Sequence, residues 1–236
     1  MRINKYLSEC GVCSRREADR LVEKGLVEIN GIKAESGAQA EDGDLVTVKG
    51  RPVSRKTEKT YLKLYKPRGI VCTSDRREKN NLMDYLKYPE RITYAGRLDR
   101  DSEGLLILTD DGDLINAMMR AREHHEKEYL VTVDRPIDQA FMERICSGVY
   151  LEELDVTTRP CRAEQLSDTK FRIILTQGLN RQIRRMCRAC GRSVKTLKRI
   201  RVVNIELDGL KSGQCLPLTE EEKKELFRRV QVKRNG

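Results

Sequence analysis

Residues 14–34 read SRREADRLVEKGLVEINGIKA, and the periodicity of this stretch changes halfway along it. Ser14 with Glu17 forms a capping box, which predicts the start of a helix. Residues 27–29 (VEI) then alternate as a strand, and Asn30-Gly31 is the dipeptide preferred in a tight type I′ hairpin turn. The sequence therefore predicts a helix that leads into a small hairpin.

Residues 1–48 are expected to form one small module, in which two short helices precede this sheet. Basic side chains cluster around the helices and the hairpin, and these are Arg2, Lys5, Arg15, Arg16, Arg20 and Lys33. Acidic residues between 35 and 44 offset that charge, so the module as a whole is not basic. An ordinary solvated helix face and a polyanion-binding surface both fit this pattern.

The chain as a whole carries an excess of positive charge. Its 236 residues include 47 Lys+Arg and 37 Asp+Glu, for a formal net charge of +10. Such an excess favours a polyanionic partner, either nucleic acid or an anionic membrane. No apolar run of about eighteen residues occurs, and the N-terminus lacks the apolar core of a signal peptide. We therefore expect a cytoplasmic protein without a membrane partner.

The chain has eight cysteines, which are expected to stay reduced in that compartment. Cys10/Cys13 and Cys187/Cys190 are CxxC pairs, a spacing that raises the question of zinc. The two pairs lie far apart in sequence, and neither has a histidine beside it. Cys187 and Cys190 also fall at helical spacing in an apolar stretch, where thiols serve as small core residues. We interpret both pairs as structural.

Residues 49–60, KGRPVSRKTEKT, lack an apolar period, which is typical of a flexible connector. From residue 61 onward, strand-like runs such as LLILT, EYLVTV and FRIILT alternate with helical stretches such as LINAMMRA and RQIRRMCRACG. A second capping box at 219–222 begins a closing helix. This order predicts an α+β fold, in which residues 61–236 form a larger domain around a mixed, mostly antiparallel sheet with flanking helices.

The most concentrated charge lies at residues 181–201, RQIRRMCRACGRSVKTLKRIR. Nine of these 21 residues are Arg or Lys, and none is Asp or Glu. A solvated helix face usually mixes both signs, so a run of one sign indicates a bound polyanion. The planar fork of arginine suits phosphate oxygens and stacked bases. We predict that this run binds nucleic acid, although the run itself does not distinguish RNA from DNA.

Residues 96–104, GRLDRDSEG, place an acidic cluster in this basic chain. A calcium loop is one interpretation, but Asp110 stands where an EF-hand has a bidentate Glu. A magnesium-dependent phosphoryl-transfer site is the second. The third is a single working carboxylate, Asp99, kept ionised by Arg97 and Arg100 and able to act as nucleophile or base without a metal. Spacing alone does not choose among them, and a surface turn is the default.

Residues 95–112, AGRLDRDSEGLLILTDDG, closely resemble the catalytic signature of the pseudouridine synthases, specifically the RsuA-like family that modifies ribosomal RNA. Three other segments are similar to motifs of that family: KPRG at 66–69, KEY at 127–129 and RQIRRM at 181–186. The form QGLNRQIRRMC is most similar to a member that acts on 23S rRNA.

The N-terminal stretch RINKYLSECGVCSRREADRLVEKGLVEINGIKA resembles an S4 RNA-binding module, in which two helices and a hairpin grip the RNA backbone. With it, the likeness covers nearly the whole chain. It implies an S4 domain at 1–48, a linker at 49–60 and a catalytic domain at 61–236. The implied partner is ribosomal RNA, with a 23S stem-loop as the expected target and tRNA as a further candidate, and the protein is expected to be a monomer.

The resemblance also implies a reaction. Asp99 is the nucleophile or base that breaks the glycosidic bond of a target uridine, and the detached uracil turns and re-forms the link through carbon. This is an isomerisation that needs no cofactor and no metal. The target base must first be extruded from its stem or loop. The alternatives left open are a non-catalytic S4-containing assembly factor, a magnesium-dependent nuclease, and a synthase acting at another rRNA or tRNA site.

Roles for single residues follow from the same resemblance. Arg184 is expected to pair with Asp99 and to orient it, and Tyr129 to stack on the flipped uracil. Arg97 should brace the space that the base leaves. The remaining expected RNA contacts are Gly96 and Leu98 in the signature and Arg181, Gln182, Ile183 and Arg185 in the basic motif, with Ile183 packing against the base. Asp101 and Glu103 are interpreted as turn or cap residues, and His124-His125 as loop residues without a catalytic role.

Overall fold

The computed structural model describes residues 1–56, 58–75, 77–120 and 124–231. The chain divides into two compact units, of which the first comprises Met1–Thr60, Tyr88–Thr93 and Thr109–Gly112, and the second comprises the rest. The predicted catalytic domain extends to residue 236, and its last five residues lie outside the described part of the chain. No helix in that part is long and apolar enough to cross a bilayer.

The first unit begins with two short helices and continues into a small antiparallel sheet. The helices are α1 (Ile3–Glu9) and α2 (Arg15–Glu23), and the strands are β1 (Val27–Ile29), β2 (Ile32–Lys33), β3 (Val46–Val48) and β4 (Arg51–Val53). The strand order is β2-β1-β3-β4. Residues 51–53 therefore form an edge strand, where composition predicted a flexible connector. A strand of three residues gives only a weak pattern in the sequence, and the charged residues around it obscure that pattern.

The predicted start of α2 is confirmed in one of its two hydrogen bonds. The hydroxyl of Ser14 accepts a hydrogen bond from the amide of Glu17 at 3.2 Å. The carboxylate of Glu17 does not reach back, because it pairs with Arg20 at 3.2 Å. The hairpin turn is as predicted, since Asn30 and Gly31 both have positive φ (52° and 79°), as a type I′ turn requires.

The second unit is built on a nine-stranded sheet in the described part of the chain, with order β11-β12-β8-β13-β7-β5-β15 and with β14 beside β13 and β6 beside β7. These strands are β5 (Tyr61–Lys66), β6 (Thr93–Ala95), β7 (Glu103–Thr109), β8 (Lys127–Val133), β11 (Arg162–Ser167), β12 (Lys170–Leu175), β13 (Val194–Val202), β14 (Ile205–Glu206) and β15 (Cys215–Pro217). Strands β7 and β13 are parallel, whereas β8 is antiparallel to both β12 and β13. The predicted mixed, mostly antiparallel sheet is confirmed.

The remaining elements flank this sheet or lie at its margin. They are α3 (Leu82–Leu86), α4 (Gly112–Met119), α5 (Gln139–Ser147), α6 (Gln182–Ala189) and α7 (Glu220–Val230), together with the small hairpin β9 (Tyr150–Leu151) and β10 (Val156–Thr157). Helix α7 begins at Thr219 with both hydrogen bonds of the predicted capping box. The α+β class is confirmed.

Strand alternation gives β8 two different faces. Val131 and Val133 are buried against Phe171 and Ile173 of β12 and against Ile183 of α6, and burying each such side chain stabilises the fold by roughly 1.5–3 kcal/mol. Glu128 is on the opposite face and forms ion pairs with neighbouring strands instead. Lys127 and Tyr129 lie on the core face, at the end of β8 where the apolar core gives way to charged residues.

Candidate active site

The signature segment forms the loop between β6 and β7. Leu98 and Ser102 are 7% and 1% exposed, so the loop is anchored at two points and Leu98, an expected RNA contact, is buried instead. Between them, the amide of Ser102 donates to the carbonyl of Asp99 at 3.1 Å and closes a tight turn. The carboxylates of Asp99 and Asp101 remain partly exposed. The turn thus presents two partly exposed carboxylates, and the buried side chains of Leu98 and Ser102 hold it in place.

Arg181, the residue just before α6, contacts both carboxylates. Its Nη1 and Nη2 donate to the two oxygens of Asp101 at 3.1 Å each, and Nη1 lies 3.6 Å from Oδ2 of Asp99. The backbone of Arg181 is left-handed (φ 51°), which costs a non-glycine residue on the order of 1 kcal/mol. Burial would raise the pKa of Asp101, but the hydrogen bonds from Arg181 and the charge of Arg184 hold that pKa below its usual value.

The expected pairing of Arg184 with Asp99 is corrected by the structure. Nη2 of Arg184 donates to the carbonyl of Asp101 (3.1 Å) and to the hydroxyl of Ser102 (3.2 Å), and it lies 3.3 Å from Oδ2 of Asp101. Burial lowers the pKa of Arg184. The tight turn at the signature loop presents Asp101 to α6, so Arg184 supports the loop, while the cation paired with Asp99 is Arg181.

Gln182 and Ile183, which were expected to contact RNA, point into the protein. Gln182 is 5% exposed, and its side-chain oxygen accepts the amide of Leu179 at 3.0 Å. Ile183 is 4% exposed and belongs to the apolar core beneath β8 and β12. The first turn of α6 therefore uses these side chains for capping and packing, because α6 lies against the sheet.

Arg185, also an expected RNA contact, is only half-buried, but its side chain is already occupied. Nε donates to the carbonyl of Asn180 at 3.0 Å, and the guanidinium pairs with Glu153 from the turn between β9 and β10. Glu153 also receives Arg188 at 3.0 Å. Two arginines of the run 181–201 thus share one carboxylate that lies more than thirty positions away in the chain.

Tyr129 lies directly opposite Arg199 in the pairing of β8 with β13. Directly paired residues of neighbouring strands point to the same face, so these two side chains are neighbours. Tyr129 is half-buried and packs against the apolar core. Arg199 is 2% exposed, with Nε donating to the carbonyl of Leu105 at 2.7 Å and Nη1 to the carbonyl of Arg97 at 3.3 Å. Arg199 therefore connects β13 to both ends of the signature loop.

Gly104 allows β7 and β13 to approach each other at this point. Its φ is +111°, and a Cβ there would lie 2.2 Å from the carbonyl oxygen of Arg199. The two residues are paired in the parallel register of β7 and β13. Only a residue without a side chain fits this approach, so the glycine of the signature is a structural requirement for the position of Arg199.

Two lysines, Lys66 and Lys127, lie close enough to Arg199 for their charges to interact with it. Lys66 is fully buried, and its Nζ donates to the carbonyls of Pro67 (2.9 Å) and Ile70 (2.8 Å). Burial lowers the pKa of Lys66. Burial, with the charge of Arg199 beside it, lowers the pKa of Lys127 to about 8. The carboxylates at the surface of the site therefore stand above a buried cationic layer.

The six basic residues named in the N-terminal module lie at or near its surface. Arg2, Arg15, Arg16, Arg20 and Lys33 are exposed, and Lys5 is half-buried. Lys5 pairs with Glu9 at 3.5 Å and Arg20 with Glu17 at 3.2 Å. Among the described residues, neither Arg15 nor Arg16 forms an ion pair, so α2 presents two uncompensated cations at its start.

The positions of the carboxylate and thiol side chains determine whether they could bind a metal ion together. Across residues 1–56, 58–75, 77–120 and 124–231, no group of three or more His, Cys, Asp or Glu side chains is placed to hold a metal ion. Cys187 is buried in the apolar core together with Cys190, and burial raises the pKa of Cys187 to about 12.

The signature loop thus carries a partly exposed carboxylate, Asp99, that lies 3.6 Å from Arg181, and a second carboxylate, Asp101, that contacts both Arg181 and Arg184. The family model described as RNA pseudouridylate synthase matches residues 60–189, and the model described as S4 domain matches residues 1–46. The chain belongs to the RNA pseudouridylate synthase family, so it is an isomerase that converts uridine to pseudouridine.

Individual relatives show which members of the family this chain resembles. The chain is 46% identical over 233 residues to the dual-specificity RNA pseudouridine synthase RluF of Escherichia coli (98% of this chain, 80% of that one). It is 36% identical over 234 residues to the ribosomal large subunit pseudouridine synthase B of Bacillus subtilis (95% of each). A crystal structure of a pseudouridylate synthase superposes with a TM-score of 0.71 at 30% identity, covering 96% of this chain and 99% of that one. RluF is the relative to which the form QGLNRQIRRMC was predicted to be most similar, and this likeness is confirmed.

Residue patterns did not reveal Arg199 or Asp101 as parts of the site, and Lys66 was identified only as the first residue of the KPRG segment that resembles a family motif. The stretch VKTLKRIRV alternates as a strand and places Arg199 in phase with Leu197, on the buried face. That phase was the available signal for a buried arginine. No comparable signal marks Asp101 as the common partner of Arg181 and Arg184, because its partners lie about eighty positions away.

Proposed function

We propose that this enzyme isomerises a specific uridine of 23S ribosomal RNA, with Asp99 as the residue that attacks the ribose or removes its proton. The observation that carries the proposal is the position of the Asp99 carboxylate, which is partly exposed and lies 3.6 Å from a cation that is itself held by Asp101. Two of the relatives named above support the class of RNA, since one is a ribosomal large subunit synthase and the other a dual-specificity RNA synthase.

The side chains around Asp99 divide the work. Arg181 places its positive charge 3.6 Å from the Asp99 carboxylate and helps to hold it in position. Arg184 and Arg199 hold the loop from its carbonyls, so the carboxylate keeps one position when the base enters. Tyr129 offers an aromatic face on which a uracil ring stacks without its edge being fixed, and this freedom suits a ring that must turn between the two bonds.

RNA binding outside the pocket is assigned to exposed cations. Residues 1–48 act as the S4 domain, with Arg15 and Arg16 contacting backbone phosphates, and the part of residues 49–60 that follows β4 links it to the catalytic domain at 61–236. Arg97 is exposed in the signature loop and braces the gap left by the extruded base, next to Gly96 and Leu98. The protein acts as a monomer in the cytoplasm, and a tRNA is its second substrate, as the dual specificity of the RluF relative suggests.

The experiment uses total RNA, including tRNA, and ribosomal particles from cells that lack this protein. Purified enzyme is added in EDTA, and pseudouridine is mapped by carbodiimide-dependent reverse-transcriptase stops, with Asp99→Asn as the matched control. New stops in 23S rRNA with the wild type alone are the expected result, and they identify the uridine. Stops in 16S rRNA or tRNA only would reassign the substrate. Tight binding without stops, on naked RNA and on ribosomal particles, would favour a non-catalytic assembly factor, and RNA cleavage on adding magnesium would favour a nuclease.

A further inference from the structure

One arm of the Arg199 guanidinium has no hydrogen-bond partner among the described residues. Nε and Nη1 donate to the carbonyls of Leu105 and Arg97, but Nη2 is buried and unpaired. The residue is 2% exposed, so bulk water does not compensate for the missing bond. A buried donor left without a partner costs about 1–3 kcal/mol, and more when it is charged. A fold that keeps such a donor next to its catalytic loop points to a ligand that completes it.

The surroundings of Nη2 show which kind of ligand fits. Tyr129 is the direct cross-strand neighbour of Arg199, and Lys127 lies on the same face of β8 as Tyr129. Lys66 is close enough for its charge to interact with those of Asp101 and Asp99, and more weakly with that of Arg199. None of these three cations forms an ion pair with a described residue. Buried cations without carboxylate partners favour an acceptor that carries negative charge.

We propose that Nη2 of Arg199 donates a hydrogen bond to a carbonyl oxygen of the extruded uracil, with Lys127 supplying positive charge beside it. The proposal rests on the proposed function, because it places the uracil on Tyr129. A uracil ring stacked on Tyr129 brings its carbonyl edge next to the neighbouring side chain across the strand pair, and that side chain is Arg199. The other two arms of the guanidinium fix the direction of Nη2.

The chemistry gives this donor a task. When the C1′–N1 bond breaks, its electron pair remains with the ring and is shared by N1, O2 and O4, while C1′ becomes electron-poor. After the ring turns, C5 supplies the electron pair for the new C1′–C5 bond, its proton leaves to a base, and N1 gains a proton, so the product is an isomer. A cationic donor at O2 or O4 stabilises the detached, negatively charged ring more than the neutral base, and such differential stabilisation lowers the barrier.

The test is a double-substitution cycle on an rRNA fragment whose reactive uridine has been mapped. Wild type and Arg199→Gln are each assayed in single turnover with uridine, 2-thiouridine or 4-thiouridine at that position. Sulfur is a weaker acceptor than oxygen, so the thio base at the contacted position should slow the wild type on the order of tenfold. Arg199→Gln has already lost the bond, so the thio effects of the two enzymes should differ on the order of tenfold. The intrinsic effect of sulfur on the reaction appears in both enzymes and cancels.

Three further variants keep the result interpretable. Arg199→Lys, which retains charge but lacks the second arm, replaces Arg199→Gln in the cycle if the latter does not fold. Lys127→Met should lower the single-turnover rate while keeping the thio sensitivity of the wild type. Arg201 lies on the opposite face of β13, where it pairs with Glu128 at 2.7 Å. Arg201→Gln should therefore leave the single-turnover rate unchanged.

Equal thio losses in wild type and in the Arg199 variant, at both O2 and O4, would overturn the donor while leaving the proposed function in place. A wild type that forms no pseudouridine in any ribosomal RNA would instead overturn the proposed function itself. Thio sensitivity confined to the wild type, at one of the two positions, would support the donor and identify the oxygen.

Discussion

Two regions of the molecule that contain clustered arginines differ in how those charges are paired. At the start of α2, Arg15 and Arg16 are exposed and form no ion pair with a described residue. In residues 181–201, most cations are matched with a carboxylate: Arg181 and Arg184 with Asp101, Arg185 and Arg188 with Glu153, Arg192 with Asp138, and Arg201 with Glu126 and Glu128.

The difference shows that a run of one sign in sequence is not a surface of one sign in space. The acidic partners of residues 181–201 come from other strands, turns and loops, so no window of the sequence contains both members of a pair. A polyanion meets little free charge there, and the run serves mainly to fasten α6 and β13 to their surroundings. The N-terminal helices, less basic by composition, keep their cations available.

The largest expected effect concerns the carboxylate that this paired region holds. Asp99→Asn should lower single-turnover pseudouridine formation on the order of 10³-fold or more, because an amide is neither nucleophile nor base. RNA affinity should change less than about threefold, since Asp99 is assigned to the chemical step. Filter binding and turnover are measured on the same fragment, with exposed Asp208→Asn as the control. Retained turnover in Asp99→Asn would remove Asp99 from the mechanism.

Lys127 is half-buried and forms no ion pair with a described residue, although its Nζ donates to the carbonyl of His125 at 3.4 Å, and it tests the comparison through stability. Its pKa in the fold is about 8, against an ordinary value of 10.5. Below pH 8 both folded and unfolded chains hold the proton, so the fold bears the full cost of the buried charge. Between about pH 8 and 10.5 the folded state releases the proton first, and the stability of the wild type rises with pH.

Lys127→Met should therefore raise the free energy of unfolding on the order of 2 kcal/mol at pH 7. That gain should shrink as the pH rises to about 10.5. Thermal unfolding followed by circular dichroism between pH 7 and 10 measures both effects, with exposed Lys195→Met as the matched control. A destabilised variant at pH 7 would show that Lys127 has a stabilising partner.

The available cations of the first region are tested by affinity. The double substitution Arg15→Ala and Arg16→Ala should weaken RNA binding about tenfold at low salt and reduce the slope of log K against log salt by roughly 1–2, as expected for two lost phosphate contacts. Titrations of the rRNA fragment at several salt concentrations give both quantities. An unchanged slope would assign RNA binding to another surface.

The smallest effect is expected where the charge is already matched. Arg188→Ala removes an exposed partner of Glu153 and should change RNA affinity less than about twofold, with a loss of stability of roughly 0.5 kcal/mol, as is usual for exposed pairs. It is titrated beside the Arg15/Arg16 double variant under the same salts. A tenfold loss of affinity from Arg188→Ala would reverse the comparison between the two regions.

Local signals predicted the parts of the fold that local interactions determine. The start of α2 at Ser14, the hairpin at Asn30-Gly31 and the capping box at Thr219 each depend on residues within four positions of one another. The family motifs likewise predicted the class of enzyme, because the signature at 95–112 and the basic motif at 181–186 are contiguous.

Partners brought together by the sheet could not be predicted in this way. The sequence assigned Arg184 to Asp99, whereas the tight turn at the signature loop gives it to Asp101. It assigned Gln182 and Ile183 to RNA, whereas the packing of α6 buries both. These outcomes depend on which face of α6 meets the sheet, and that face is decided by packing against strands that are distant in the sequence.

Gly104 gives the signature a second position that tolerates no substitution. The backbone of Arg199 occupies the space where a side chain would begin. Even alanine would therefore push β7 and β13 apart and displace the loop that carries Asp99. A chain that keeps Asp99 but replaces Gly104 would retain the reactive group and lose the support that aims it. Gly104 is therefore as informative as Asp99 for deciding whether a divergent relative is catalytically active.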